Sequence, residues 1–447
     1  MPVENHITHI YKRNGRLVAF DPDRITDAIF RAARSLGGED ITRARELSDM
    51  VTKTLNETFE PGEKPNVEDI QDMVIDVLKR NNHESTARAY ARYRTEHARL
   101  RERREAGEIS DPVPYKILWE VLYWNMDYGC ETVEHLNEHV RRGTIPILVK
   151  AAEKIYHNEV LKLARSILRR KDTIRIVIIA GPSSSGKTTT TIKLKETLLK
   201  QGVSLDLIGL DNYFKNLKDH PRDEFGDYDF ERPESLDIEL INEHLSELIR
   251  GNEIQMPVYN FKTGRREQHT TAFRLEKNHI LLIDSLHGLF KPMTQSVPEE
   301  LKYRMYIEAL CQIKDPNGEF VRWADLRMLR RMVRDSWARS YSPEMTVGHW
   351  HYVRSSELQN IVPYIHEADF IFNGSLPYEL PVHKKYLWKY MDQIYHAYKD
   401  NPKRYDAAIR ARRVYELLNN VTAIDDDNII PKDSLMREYI GGSIYEY

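Results

Sequence analysis

From residue 174 onward, short apolar runs alternate with longer amphipathic stretches. Ile174–Ala180 (interrupted by Arg175), Leu205–Leu210, Ile280–Ile283, Tyr303–Glu308 and Ala368–Asn373 are strand-sized. Between them, Thr188–Lys200, Ile238–Arg250 and Trp323–Arg334 carry helical patterns. Apolar strands alternating with helices predict an α/β fold whose parallel sheet is covered on both faces, a doubly wound arrangement. Upstream, Val149, Ile155, Val160, Leu163 and Ile167 suit amphipathic helices, with Gly143 and Pro146 as a break, so this stretch reads as a helical connector. The first hundred residues differ. Ile7–Tyr11 and Leu17–Phe20 flank Asn14-Gly15, a strong hairpin signal. Asp23 is placed to cap a helix, and further helices are expected over Ile41–Leu55, Val67–Arg80 and Glu84–Arg104. Three regions result: 1–104, mostly helical; 105–170, the connector; and 171–447, the α/β region with its tail. Beyond Tyr386 that tail reads as helical, then acidic at Asp425–Asp427, with no role its sequence assigns.

Composition narrows the picture. At about 100–200 residues per domain, a chain of 447 residues holds two to four domains. Its 66 basic and 69 acidic residues leave a net charge of −3, which offers no electrostatic case for a nucleic-acid partner. Cys130 and Cys311 lie far apart in no CxxC pattern, which argues against a disulfide scaffold or a thiolate metal site. The polar stretch Met1–Gly15 has no apolar core of signal-peptide length, and no apolar run reaches membrane-helix length. A cytoplasmic chain with no membrane partner is expected.

The strongest chemical signal is Gly181-Pro-Ser-Ser-Ser-Gly186-Lys187-Thr188, a full match to GxxxxGK[ST]. Glycines let such a loop wrap closely around phosphate oxygens, and its backbone N–H groups point inward. A buried strand enters the loop and an amphipathic helix leaves it, which is the context this phosphate cradle requires. Gly181, Ser183, Ser184, Ser185, Gly186, Lys187, Thr188 and Thr189 are the candidate nucleotide-binding residues. Lys187 would reach the β- and γ-phosphates, and Thr188 would ligate Mg²⁺. ATP and Mg²⁺ are the expected cofactors.

Asp211 follows the second apolar strand, at the sheet edge where ligands bind in open α/β sheets. A carboxylate there suits proton acceptance from an attacking hydroxyl or Mg²⁺ binding; a turn or cap aspartate is the plainer alternative.

The segments Leu210-Asp211-Asn212-Tyr213-Phe214, Tyr228-Asp229-Phe230-Glu231-Arg232-Pro233 and Pro257-Val258-Tyr259-Asn260-Phe261-Lys262-Thr263-Gly264 follow the cradle in order. With Leu281–Leu289, Arg327–Arg339 and Ala368-Asp369, they resemble the uridine kinase family, and most of all its longer bacterial nucleoside-kinase branch. The resemblance spans about Leu136 to His383. It implies a P-loop fold and phosphoryl transfer from ATP to a small nucleoside-like hydroxyl compound, uridine or cytidine. It implies Asp211 as general base and Tyr213, Phe214, Glu231, Tyr259, His287 and Arg339 on the acceptor side. Glu231 stands where the family usually has an aspartate that holds ribose hydroxyls. Asp284-Ser285 replaces the usual Glu-Gly, which shortens a carboxylate placed for Mg²⁺. Gly264 replaces a histidine of shorter members. These departures keep a second acceptor class open, a sugar phosphate.

Arg322, Arg327, Arg330, Arg331, Arg334 and Arg339 have helix-compatible spacing from Arg327 onward. Planar guanidinium groups suit phosphate oxygens. In the resembling family this stretch is a lid, which makes Arg331 and Arg334 catalytic candidates beside Lys187 and Asp211. The plainer alternatives are a solvated basic helix or a nucleic-acid patch, and without the phosphate cradle the solvated helix is the favoured reading.

Lys12-Arg13-Asn14-Gly15, Phe20-Asp21, Arg24–Ile29, Val67–Gln71, Ala87–Tyr90 and Tyr93-Arg94 resemble the ATP-cone, a nucleotide-sensing domain, across Ile7 to Arg99. Lys12, Arg13, Asn14 and Gly15 are its candidate phosphate contacts, since a basic hairpin beside a helix N-terminus can hold a triphosphate. Arg24 replaces the usual lysine. A cone joined to a kinase implies control by ATP or dATP through assembly, hence a homo-oligomer. The remaining alternative is a non-catalytic nucleotide-sensing regulatory protein.

Overall fold

The computed structural model describes every residue except 1–4, 13–16, 35, 37, 39, 106–112, 222–227, 229–230, 261–262, 339–340, 399–403 and 447. Two compact units emerge: Met1–Ser110 with His396–Ile409, and Asp111–Tyr395 with Arg410–Tyr447.

The first unit opens with a short antiparallel pair, β1 (His9–Tyr11) and β2 (Leu17–Ala19). Four helices follow: α1 (Pro22–Arg34), α2 (Ile41–Thr58), α3 (Val67–Arg80) and α4 (Glu84–Glu105). Asp40 caps α2 through the Arg43 N–H, and Asn66 with Asp69 forms a reciprocal capping box on α3. These local bonds satisfy N–H groups that a helix start leaves without partners. Ile25, Ile29, Leu47, Val51, Leu55, Val74 and Leu78 share one core, and Arg94 of α4 binds Glu68 at 2.7 Å. Arg24 pairs with Asp21 at 3.4 Å. Lys12 lies just past β1, whereas Arg13, Asn14 and Gly15 fall outside the described residues.

In the second unit, chain order runs α5 (Tyr115–Asp127), α6 (Val133–Arg141), α7 (Ile145–Leu168), β3 (Ile176–Ala180), α8 (Lys187–Leu199), β4 (Leu205–Gly209) and α9 (Ile238–Ile249). It continues through β5 (Glu253–Asn260), β6 (Arg265–Arg274), β7 (Ile280–Ser285), β8 (Lys302–Glu308), α10 (Trp323–Ala338) and α11 (Pro343–Asn360). β9 (Phe370–Asn373), α12 (Glu379–Tyr398), α13 (Tyr405–Asn419) and α14 (Arg437–Ile440) complete the order, with the end of α12 and the start of α13 counted in the first unit.

The sheet order is β4-β7-β3-β8-β9, with every pairing parallel. β3 lies at its centre and is buried along its whole length, which is why its sequence is an unbroken apolar run. Residues 115–170, expected as a connector, belong to this unit. The Tyr156 hydroxyl of α7 lies 2.6 Å from Thr190 Oγ1 of α8, and its ring meets Phe372 of β9 edge-on. The antiparallel hairpin β5–β6 was not expected. Its register shifts between Pro257 and Tyr259, where a residue without an N–H interrupts the ladder. Among the described residues, no helix is long and apolar enough to cross a membrane.

Candidate functional site

The cradle is built by close approaches that only glycine allows. A Cβ at Gly181 would stand 2.4 Å from the Ile307 carbonyl of β8, so a side chain there would push the loop off the sheet. Gly186 holds φ of 100°, in the left-handed region, immediately before α8 begins. Ser184 also takes a positive φ of 59°. Lys187 folds back over the loop and donates to the Gly181 carbonyl at 2.9 Å and the Pro182 carbonyl at 3.3 Å. Thr188 is exposed and Thr189 buried on the first turn of α8. N–H groups of that turn that have no carbonyl of the helix to bond, with the positive end of the helix dipole, make the loop an anion site.

Strand register brings two carboxylates to the same edge. Asp284 of β7 pairs across to Ile179 of β3, each one residue before the end of its strand, and to Gly209, the last residue of β4. Asp211 lies two residues past Gly209, itself exposed, in a 3-10 turn whose Leu210 and Tyr213 are buried. Burial pushes the Asp284 carboxyl up to about 6; the charges of Asp211 and Glu438 add to the rise, and Lys187 opposes it. Part of Asp284 still meets solvent, but the protein packed around it is dense enough to disfavour its charge. Among the described residues, no group of three or more His, Cys, Asp or Glu is arranged to hold a metal unaided. Carboxylates that repel one another beside a hydroxyl, Thr188, nevertheless fit Mg²⁺, which takes one or two protein carboxylates and completes its shell with phosphate and water.

The acceptor-side candidates divide. Tyr213 is only 1% exposed, and its hydroxyl lies 2.9 Å from His244 Nδ1. It therefore points into the core under the Asp211 turn, not into a pocket as expected. Phe214 and Tyr259 are buried too, tilted against each other, with His220 stacked on Phe214. Glu231 is held by Arg331 at 3.3 Å and lies 3.9 Å from His349 Nε2. His287 Nε2 lies 2.9 Å from the Glu231 carbonyl. Burial lowers His287 to about 4, so the ring is neutral at ordinary pH and Nε2 donates. Its Nδ1 is then an acceptor, buried with no hydrogen-bond partner. Arg339 lies outside the described residues, as do Asp229, Phe230, Phe261 and Lys262.

The arginine run separates into two roles. Arg327 and Arg330 are buried at 1% and 0% exposure. Arg327 pairs with Glu308 at 2.7 Å and with Glu357, and donates to the Ser183 carbonyl at 3.1 Å. Arg330 pairs with Glu379 and donates to the carbonyls of Ser184, Ser185 and Gly374 at 3.2, 3.1 and 2.6 Å. Both brace the cradle from behind, where the sequence suggested a mobile lid or a solvated face. Arg331 and Arg334 lie nearer the surface and share Asp335. Arg331 also reaches Ser183 Oγ at 3.2 Å.

Sequence reasoning passed over Arg266. From β6 it donates to the Tyr213 carbonyl at 2.8 Å and the Phe214 carbonyl at 2.9 Å, and pairs with Asp237 at 3.0 Å. It clamps the turn that carries Asp211 onto the hairpin. Its only sequence signal is a charge inside a stretch not read as a strand. The acids Glu308, Glu357 and Glu379 were also missed, since each comes from an element remote from α10.

A model of the phosphoribulokinase / uridine kinase family matches residues 176–378, and a model of the ATP cone domain matches residues 8–99. A uridine kinase of Chloroflexus aggregans is 30% identical over 203 residues, covering 44% of this chain and 86% of the relative. A uridine kinase of Deinococcus deserti is 29% identical over 197 residues, with the same coverage of 44% and 86%. The solved structure of a possible uridine kinase from Bacillus stearothermophilus aligns at 20% identity over 48% of this chain and 98% of its own, with a TM-score of 0.31. That score is too low to support more than the comparison itself.

Proposed function

This chain belongs to the phosphoribulokinase / uridine kinase family and carries an ATP-cone domain, and from that premise we propose that it phosphorylates a nucleoside, uridine or cytidine, under control of the cone. It is a P-loop small-molecule kinase that uses ATP; the acceptor, the metal and the control are the proposal. The observation that carries the reading is the common sheet edge at which Asp284 stands near the end of β7, between β3, which leads to Lys187, and β4, which leads to Asp211.

In this reading the N–H groups of Gly181–Thr189 hold the triphosphate, and Lys187 neutralises charge at its β- and γ-phosphates. Thr188, Asp284 and Asp211 are the residues that would hold Mg²⁺. The ion would supply positive charge that offsets the charge developing on the transferring phosphoryl group. Asp211 accepts the proton of the attacking hydroxyl. Arg331, which reaches Ser183 of the cradle, and Arg334 would add positive charge that stabilises the transferring group. His287 offers its neutral Nδ1 to an acceptor hydroxyl. Glu231, tied to Arg331, is the group through which acceptor binding would be sensed by the arginine helix. Tyr213, buried on His244, supports the turn from below.

The test is ATP-dependent phosphate incorporation by the full chain, with Mg²⁺, into a panel of nucleosides and sugar phosphates. Uridine or cytidine should be the best acceptor, with Lys187→Ala and Asp211→Asn each lowering turnover by about 10²-fold or more. A sugar phosphate as best acceptor would replace the nucleoside reading. No product with any acceptor would favour a nucleotide-sensing regulator.

For the cone we propose an ATP or dATP effector site that includes Lys12, in a cytoplasmic homo-oligomer whose assembly sets the kinase rate. The effector must bind one assembly state better than another. Sedimentation and rate assays with added dATP at saturating substrate ATP test this; indifference of both sinks it.

A further inference from the structure

We propose that the chain's own C-terminal segment, Ser434–Ile440, is an internal ligand of the phosphate cradle: Glu438 stands on donors that a nucleotide phosphate needs, so nucleotide binding and release of the segment are coupled. The inference rests on the reading of Gly181–Thr189 as the ATP site and extends it to a part of the chain outside the residues matched by the kinase family model.

Glu438 Oε2 accepts from the Thr189 hydroxyl at 2.6 Å and from the Thr189 backbone N–H at 3.3 Å. Thr189 is the third residue of α8, so its N–H is among those that the helix leaves without a carbonyl of its own. An N–H points in one direction, and an acceptor placed along it occupies the position a phosphate oxygen would take. A carboxylate suits that position for the same reasons a phosphate does: negative charge at a helix N-terminus and oxygen acceptors. The other carboxylate oxygen, Oε1, lies 3.8 Å from Arg334, the second group that the proposed function assigns to phosphate. One side chain thus engages a cradle donor and a candidate catalytic arginine together. Glu438 is itself only 5% exposed, and its charge reaches Asp284. Adding a triphosphate beside both carboxylates is opposed by repulsion until Glu438 moves.

The rest of the segment has independent holds on the loop. Tyr439 donates its hydroxyl to the Ser184 carbonyl at 3.1 Å, and its own carbonyl accepts from Trp337 Nε1 at 2.6 Å. The Arg330 guanidinium lies over the Tyr439 ring. Leu435 fills the space beside Gly186, where a Cβ would come within 2.6 Å of it. Asp433 pairs with Lys193 of α8 at 2.9 Å. These contacts explain how a segment about 250 positions away in sequence stays seated on the cradle.

The experiment is backbone hydrogen exchange and ATP titration of the full chain in the presence of Mg²⁺. In wild type, ATP should protect residues 181–190 while residues 434–441 exchange faster. Glu438→Ala should tighten ATP binding by about tenfold, the size of one charge-assisted hydrogen bond. Glu438→Gln, which keeps the shape and loses the charge, should move the affinity the same way by less. Lys187→Ala measures binding elsewhere in the chain and is subtracted. Weaker ATP binding in either Glu438 variant, or added protection of 434–441 by ATP, overturns the proposal and makes Glu438 part of the nucleotide site. If ATP protects nothing in 181–190 of wild type, the cradle reading itself fails, a result distinct from the others.

Discussion

Arg330 and Glu379 form a two-pronged ion pair with no solvent exposure, Nε to Oε2 at 2.7 Å and Nη2 to Oε1 at 2.5 Å. The guanidinium spends its remaining N–H groups on the carbonyls of Ser184, Ser185 and Gly374. With Arg327 on the Ser183 carbonyl, this arginine ties down three consecutive carbonyls of the cradle.

Removing one partner leaves the other charged and buried without its counter-charge, which costs about 3–5 kcal/mol. Arg330→Met and Glu379→Gln should each lower the denaturant midpoint in proportion. The double variant should recover much of the loss, because no orphan charge remains. Chemical denaturation of the three variants checks this, and strict additivity of the two single losses would contradict it.

The same pair fixes how stability responds to acid. Arg330 holds the Glu379 carboxyl down at about 2, from an ordinary value of 4.5, against the opposing effect of burial. A carboxyl depressed on folding stabilises the native state above its unfolded pKa, and that contribution is lost as pH falls from about 4.5 towards 2. Wild type should lose stability across that window, and Glu379→Gln should lose less. Unfolding curves at a series of pH values give the comparison.

Much of this was legible in the sequence, for physical reasons. The five strands of the sheet were expected within one or two residues at each end, because strands buried on both faces are apolar without alternation. β3 and β7 are the clearest cases. The cradle was legible because its glycines and Lys187 are fixed by phosphate geometry. The hairpin β5–β6 was not: Pro257 interrupts it, and β6 is largely exposed and polar, so neither periodicity appears. Arg327 and Arg330 looked like a solvated or mobile face because their partners, Glu308, Glu357 and Glu379, lie on three other elements. Glu438 carried no signal at all, since what gives it meaning is Thr189, far away in the chain.

Gly181 offers a sharper test of the cradle's construction. An alanine Cβ would meet the Ile307 carbonyl at 2.4 Å and Ser185 Oγ at 2.9 Å. The first is backbone of a central strand and cannot turn aside. Gly181→Ala should therefore cost about 1–3 kcal/mol as overpacking and displace the loop. ATP affinity should fall with it, whereas thermal unfolding should still show one cooperative transition for the second unit. Unchanged ATP affinity would mean that the loop has slack enough to absorb the methyl group.

Arg266 tests whether the turn bearing Asp211 must be held in place. Its guanidinium fastens two consecutive carbonyls, those of Tyr213 and Phe214, and is itself fixed by Asp237. The hairpin adds two further ties, from Tyr259 N–H to the Asn212 side chain and from Arg266 N–H to the Asn216 side chain. Without Arg266 the turn keeps these ties but loses its strongest, so the fold should survive while Asp211 shifts. Misplacing a reacting group by about 1 Å can cost about 10²-fold in rate. Arg266→Ala should accordingly lower kcat by about that factor and change the KM for ATP far less, since Arg266 holds the turn and makes its bonds to Tyr213, Phe214 and Asp237. Arg266→Lys should recover only part of the rate, because an ammonium cannot span both carbonyls and Asp237 with a planar fork. Steady-state kinetics with ATP and acceptor varied separately decide it: a rise in the ATP KM with kcat intact would place the defect in the cradle, and the positioning role would be lost.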